Sequence, residues 1–359
     1  MRILSAEKTC LHPGKTLIVL FLLLVMIFSG VACTEKTIPD RAEELTRFSA
    51  HGFYGFDTLT YILAYLPSAE EFERLNALVE DRLSYYNELY TAFEPSDNYV
   101  NVFDLNDRAG HICQDLEPDL FNLLSVAVEL AKASEGAFNP AMGRLTGLWK
   151  EAGAISRARP DEAYIPDELS LKEAGKHMDY LKLRLEPEDK SVQFLDDQMR
   201  LDLGAMAKGY AVELLAKDIQ KAGFNHVLLS VGGNVRAIGS KPEGQAWQVG
   251  IQDPELHDQV LETLEICDGA VVTSGVYERN FSYEGKLCHH IIDPQTLYPS
   301  ERYLSVSLIG PDSGLADALA TALFNLDEDK GNALAEKYGY QVIRVFPDGK
   351  VHHFTPLEK

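Results

Sequence analysis

Residues 201–239 read LDLGAMAKGYAVELLAKDIQKAGFNHVLLSVGGNVRAIG. A short strand runs into Gly204, and an apolar helical period follows from about Ala205 to Ala222, where Gly223 stops it. Val227–Val231 then reads as a strand that ends in Gly232-Gly233, a pair that permits positive φ or close backbone approach. Strands follow at Trp247–Ile251, Ala270–Thr273, His289–Ile292 and Leu304–Leu308, with a helix from about Gly314 to Leu326. Upstream, Gly55–Leu66 reads as the first strand. Ser68-Ala-Glu-Glu71 is a capping box for a helix carrying Phe72, Leu75, Leu78, Val79, Leu83 and Tyr86 at helical spacing. A further helix spans about Asp119–Ser134, and Tyr180–Leu185 with Ser191–Leu195 forms a hairpin around Glu-Pro-Glu-Asp-Lys. Strands and helices mix without a regular βαβ repeat. The expectation is therefore a single α+β domain with a mainly antiparallel sheet.

The N-terminus carries an address. Arg2, Lys8 and Lys15 precede an apolar run, Leu17–Phe28, and then Ser-Gly-Val-Ala-Cys33. A run of about 12 apolar residues suits a signal peptide, whereas a membrane span needs about 20. The expected organisation is a lipoprotein signal peptide at 1–32, a lipidated tether at 33–52 that begins with Cys33, and the folded domain at 53–359. An uncleaved N-terminal anchor is the alternative. Either one puts the domain outside the cytoplasm, held to the membrane in a bacterial envelope and facing the periplasm.

The chain has 359 residues, 46% hydrophobic and 25% charged, with a net charge of −22. So acidic a surface repels phosphate backbones, which excludes nucleic acid as a partner. A phosphate-bearing ligand would need a local cation. Beyond Cys10 and Cys33 there remain Cys113, Cys267 and Cys288, without CxxC or zinc spacing, so free thiols are expected.

Walker A, GxSxG and HExxH motifs are all missing. Lys208, one turn into a helix that opens after Gly204, fits an anion site at a helix N-terminus; a solvated lysine is the plainer reading. Gly232-Gly233 fits a ligand loop or an ordinary turn. Thr273-Ser-Gly-Val-Tyr-Glu-Arg279 precedes His289-His-Ile-Ile-Asp-Pro294, where adjacent strand residues point to opposite faces, so one histidine at most serves a given pocket. Asp317 and Thr321 are four apart on an apolar helix, an oxygen pair suited to Mg²⁺. Alternatively Thr321 bonds its own i−4 carbonyl and Asp317 is an early-turn helix charge.

The ordered series GAFNPAMGRLTGLW, LDLGAMAKGYA, LLSVGGNVRAIG, WQVGIQDP, VVTSGVYERNF, CHHIIDPQTLYP and SVSLIGPDSGLADALATAL resembles the ApbE family, the FAD:protein FMN transferases, over about residues 53–327. The resemblance implies a T-fold-like α+β domain, FAD as substrate, Mg²⁺ as cofactor, and an acceptor protein flavinylated on Thr or Ser. It assigns Mg²⁺ to the Ala205 carbonyl, Asp317 and Thr321, and the catalytic base to His290. Flavin contacts fall on Phe56, Asn101, Asn106, Asn139, Lys208, Ser274 and Gly275, with Asp293 a nearby site carboxylate. Three positions depart from the family pattern: Asn139 stands for Asp, Phe56 for Met, and Leu297 for the Gly of an Asp-Pro-x-Thr-Gly turn, so that loop is expected to take another path. The rivals are an FAD pyrophosphatase using the same residues, a non-catalytic flavin-binding lipoprotein, and a transporter's solute-binding lipoprotein, whose βαβ repeats are not seen here.

Overall fold

The computed structural model of the protein describes residues 44–256 and 258–357. The signal peptide, Cys33 and the first part of the tether lie outside these residues. In chain order the elements that matter are β1 (Thr46–Gly52), β2 (Thr60–Leu66), α1 (Ala69–Tyr90), α2 (Val102–Asp107), β3 (Ile112–Cys113), α3 (Pro118–Ala133), α4 (Gly143–Ala158) and α5 (Glu168–Gly175). Then come β4 (Leu183–Glu186), β5 (Ser191–Phe194), α6 (Ala207–Lys221), β6 (His226–Val231), β7 (Asn234–Gly239), β8 (Trp247–Gln252), β9 (Val260–Ile266) and β10 (Ala270–Gly275). The chain continues with β11 (Asn280–Tyr283), β12 (Lys286–His289), β13 (Ser305–Gly310), α7 (Ser313–Asn325), α8 (Glu328–Tyr338), β14 (Gln341–Val345) and β15 (Val351–Phe354).

The main sheet runs β1-β2-β6-β7-β10-β13-β14-β15, antiparallel at every pairing. An α+β fold with an antiparallel sheet was the expectation, and it holds. Alternation decides which face is which. In β2, Thr60, Ile62, Ala64 and Leu66 are buried toward the helices, while Tyr61, Leu63 and Tyr65 turn to the other face. The helical side holds the large core, where Leu75, Leu83, Leu120, Leu124, Val212, Leu215, Leu319 and Leu323 are all buried. The opposite face is covered by the β8–β9 hairpin, whose Trp247, Val249 and Ile251 pack on Ala237, Val271 and Ile343. A smaller core joins α4 and α5 to the β11–β12 hairpin through Leu145, Trp149, Leu171, Phe281, Cys288 and Ile292.

Several boundaries differ from expectation. Seven residues of the stretch read as tether form β1, paired along its whole length with β2. Gly55–Thr58 is loop, not strand. The capping box forms as read, Ser68 Oγ accepting from Glu71 N at 3.2 Å. The helix expected from Ala205 begins at Ala207, and the strand expected over His289–Ile292 ends at His289. Cys113, Cys267 and Cys288 are free. No helix of the described residues is long and apolar enough to cross a membrane.

The registers Gly52↔Thr60, Val231↔Asn234 and Gly275↔Ser305 put three chain reversals at one end of the sheet: 53–59, Gly232-Gly233, and the excursion 276–304. The β11–β12 hairpin belongs to that excursion.

Candidate active site

The site forms where α6 and α7 cross beside those reversals. Gly209 makes the crossing possible: a Cβ there would overlap the Ser313 carbonyl oxygen and come within 2.5 Å of Asp317 Cβ. Gly314 answers it on α7, where a Cβ would lie 2.9 Å from Tyr210 Cα. With the helices this close, Gly209 N donates to Asp317 Oδ2 at 2.8 Å. Gly209 lies in the first turn of α6, where the backbone amides have no intrahelical carbonyl, so Asp317 satisfies one of them. Asp317 is 7% exposed. Burial raises its pKa, while the Lys208 charge and the Gly209 amide pull it back. Thr321 lies on the same face of α7, and its hydroxyl does not turn back on the Asp317 carbonyl; among the described residues it makes no hydrogen bond to protein.

Lys208 is not a solvated surface lysine. Its Nζ donates to Gly232 O and to Asn234 Oδ1, each at 3.0 Å, which ties the start of α6 to the Gly-Gly reversal. Gly232 (φ 52°) and Gly233 (φ 85°) both need the left-handed region. Asn234 is 1% exposed and its Nδ2 lacks a hydrogen-bond partner, a buried orphan beside the crossing.

The two histidines divide as strand alternation requires. His289 is buried, its Nε2 donating to Ser300 O at 2.8 Å and its Nδ1 accepting from Ile291 N at 3.2 Å. That pair of bonds fixes a neutral tautomer and makes His289 structural. His290 keeps solvent exposure although protein packs closely around its ring. Burial, then His289, Arg279 and Lys208, push its pKa down to about 4, against the pull of the Arg279 carbonyl. The Lys208 charge that acts on Asp317 therefore acts on His290 too, which puts the three in one electrostatic neighbourhood. Glu278, quoted within its motif but given no role from sequence, shares it. Burial raises its pKa, Lys208 and Arg279 lower it, and Asp317 raises it further.

The remaining assigned residues are mostly spent on backbone. Asn101 is fully buried as the N-cap of α2: Oδ1 accepts from Asp104 N, and Nδ2 donates to Glu88 O and Glu94 O. Asn106 brackets Leu201, accepting from its amide at 2.6 Å and donating to its carbonyl at 3.0 Å. Asn139 donates to Met178 O and accepts from Ala141 N. Asp293 caps the next turn by accepting from Gln295 N. The side chains of these four fix main-chain segments around the site. Phe56 (φ 58°) is in the 53–59 reversal, its amide held by Asn87 Oδ1 at 2.7 Å. Ser274 and Gly275 end β10, where a Cβ on Gly275 would strike the Tyr277 ring.

The loop after His290 bears on the Leu297 departure. Leu297 sits at φ 69°, the conformation in which a glycine costs nothing, so the side chain is accommodated and the turn keeps a left-handed residue. Gly175 makes the room: a Cβ there would lie 3.3 Å from both Leu297 methyl carbons.

Among the described residues there is no cluster of three or more His, Cys, Asp or Glu. One buried carboxylate, a hydroxyl and a main-chain carbonyl still make an all-oxygen donor set. That suits Mg²⁺, which retains waters and takes few protein ligands.

Fold and site together describe an enzyme whose titratable and polar side chains gather at one end of an antiparallel sheet. Residues 56–344 match the model of the ApbE family, and the chain belongs to that family. It is 36% identical over 263 residues to an FAD:protein FMN transferase of Treponema pallidum, covering 69% of this chain and 71% of that one. It is 27% identical over 337 residues to one of Haemophilus influenzae, covering 92% and 94%. The crystal structure of the ApbE protein of Thermotoga maritima superposes with a TM-score of 0.76 at 26% identity, covering 86% of this chain and 97% of that one.

Proposed function

We propose that this chain is an FAD:protein FMN transferase that acts with Mg²⁺, as its relatives' names and its site chemistry support. The observation that carries the reading is the convergence of buried Asp317, tethered Lys208 and neutral His290 at one end of the sheet. The Ala205 carbonyl, Asp317 and Thr321 would hold Mg²⁺, which supplies charge neutralisation at a pyrophosphate. Lys208, with Arg279 nearby, supplies the local positive charge that a phosphate-bearing substrate needs in so acidic a protein. His290, neutral at pH 7, takes the proton from a Thr or Ser hydroxyl of the acceptor protein. That oxygen forms a bond to the FMN-side phosphorus, the pyrophosphate P–O bond breaks, and AMP leaves. The leader at 1–32 and Cys33 support a membrane-anchored lipoprotein facing the periplasm.

The test combines the protein, FAD, Mg²⁺ and a flavin-acceptor domain carrying a modifiable threonine. Mass spectrometry then seeks an FMN-sized increment on the acceptor, with AMP measured alongside. Equal amounts of both are expected. AMP with free FMN and an unmodified acceptor would make the protein a pyrophosphatase instead.

A further inference from the structure

Asp202 lies three residues before Ala205 and takes no part in the chemistry above. Its carboxylate is nonetheless saturated. Oδ2 accepts from Thr146 Oγ1 at 2.6 Å and from Lys150 Nζ at 2.7 Å, and Oδ1 accepts from Gly204 N at 3.0 Å. Its own amide donates to Pro140 O at 2.9 Å, and Leu201 beside it is bracketed by Asn106. On the far side, Met206 N and Ala207 N both donate to Leu203 O, at 2.9 and 2.8 Å. Ala205 is thus the apex of a turn pinned on both flanks, with Asp202 holding the upstream one.

Thr146 and Lys150 are i and i+4 on α4, so one face of that helix grips Asp202. The residue between them and the other half of the site is Trp149. Its Nε1 donates to Leu297 O at 2.9 Å, in the turn that follows His290. Neighbouring residues of α4 therefore hold two segments of the site: Lys150 the Ala205 turn, Trp149 the loop behind the histidine.

We infer that Asp202, clamped by Thr146 and Lys150, is a positioning residue for the divalent cation, setting where the Ala205 carbonyl stands relative to Asp317. The inference rests on the reading that Ala205, Asp317 and Thr321 hold the metal. Groups that orient metal ligands typically change affinity by about 10–100-fold when removed.

The experiment titrates Mn²⁺ alone into the full-length protein, followed by the loss of free-Mn²⁺ electron paramagnetic resonance signal. Wild type is compared with Asp202→Asn, Lys150→Met, Thr146→Val and Asp317→Ala. Asp202→Asn is expected to weaken Mn²⁺ by about 10-fold or more, with Thr146→Val and Lys150→Met in the same direction. In the transfer assay, excess Mg²⁺ should restore most of the Asp202→Asn rate. A merely structural defect would not respond to added metal. If Asp317→Ala binds Mn²⁺ as wild type does, the metal site itself is misassigned. If Asp317→Ala loses Mn²⁺ while Asp202→Asn keeps wild-type affinity, only the positioning role falls. Should Asp202→Asn fail to fold, wild-type Mn²⁺ affinity in both Thr146→Val and Lys150→Met would overturn it.

Discussion

Gly209 and Asp317 meet at a helix crossing, the amide of one donating to Oδ2 of the other at 2.8 Å. The contact exists because Gly209 has no side chain, and it falls on a carboxylate that is 7% exposed and also lies beside the Asn234 amide. A buried carboxylate held only by amide donors is costly unless a cation completes it. The same glycine therefore serves packing and site chemistry.

Gly209→Ala should damage both. The methyl would overlap Ser313 O and crowd Asp317 Cβ, both fixed parts of α7, so the helices must separate. Overpacking of this kind costs about 1–3 kcal/mol. Denaturant unfolding should register that loss, and Mn²⁺ affinity should fall with it. An alanine variant as stable as wild type would mean that α6 and α7 do not approach so closely.

His290 predicts an unusual pH profile. Its pKa, pushed down to about 4, keeps the imidazole unprotonated well below the ordinary 6.5. The acidic limb of kcat/KM for FAD, which reports the free enzyme, should accordingly fall near 4. The linked stability effect has the opposite sense to that of a histidine that gains a partner. As pH drops below 6.5 the unfolded chain takes up this proton before the folded chain does, so folding is penalised progressively between 6.5 and about 4. Circular dichroism across that range separates unfolding from loss of base. A limb at 6.5 or above would remove His290 from the role, as would a His290→Ala variant with undiminished transfer.

Much of this was legible in the sequence because it is periodic or local. Asp317 and Thr321 share a helical face by spacing alone, and the His289/His290 division follows from strand alternation. β1 was not legible: TRFSAHG has no buried apolar alternation, since it is an edge strand with mostly exposed side chains. The Asp202 clamp was equally hidden, because Thr146 and Lys150 lie 56 and 52 residues away and only tertiary packing joins them. Resemblance assigns Asn101 and Asn106 to flavin contact, and the main-chain bonds both make are a use of Asn that sequence cannot tell from recognition. Leu297 stands where the family pattern has Gly, and the backbone holds it at positive φ where Gly175 yields the space, a pairing that sequence does not show.

That last pairing predicts a coupling. In the wild type, Gly175→Ala would press its methyl against Leu297 at 3.3 Å, offsetting the roughly 1 kcal/mol that alanine normally gains over glycine in a helix. In a Leu297→Gly background the clash is gone, and the same substitution should stabilise by up to about 1 kcal/mol. A double-mutant cycle measured by urea unfolding tests this; additive effects would mean that the two residues do not touch.

The ion pair behind the site supplies a larger effect. Arg236 Nε meets Glu213 Oε2 at 3.1 Å with both residues 5% exposed, and that oxygen also accepts from Ser313 N at 3.0 Å. Glu213 is on α6, Arg236 on β7 and Ser313 opens α7, so the group ties together the three elements that carry Lys208, Asn234 and Asp317. Removing one member strands a buried charge. Arg236→Met should cost about 3–5 kcal/mol, measured by chemical unfolding, because Glu213 then keeps only neutral donors and the partly exposed Lys217 at 3.6 Å. Replacing Glu213 and Arg236 together with leucine and methionine should cost less than the single change, since no buried charge is left uncompensated and Asp268, which also loses Arg236, is solvated. The double variant should still lose Mn²⁺ affinity, because Ser313 N, unpaired at the start of α7, no longer fixes the helix that presents Asp317. If the double variant is no more stable than Arg236→Met, the pair is a net stabiliser in its own right and not chiefly a device for alignment.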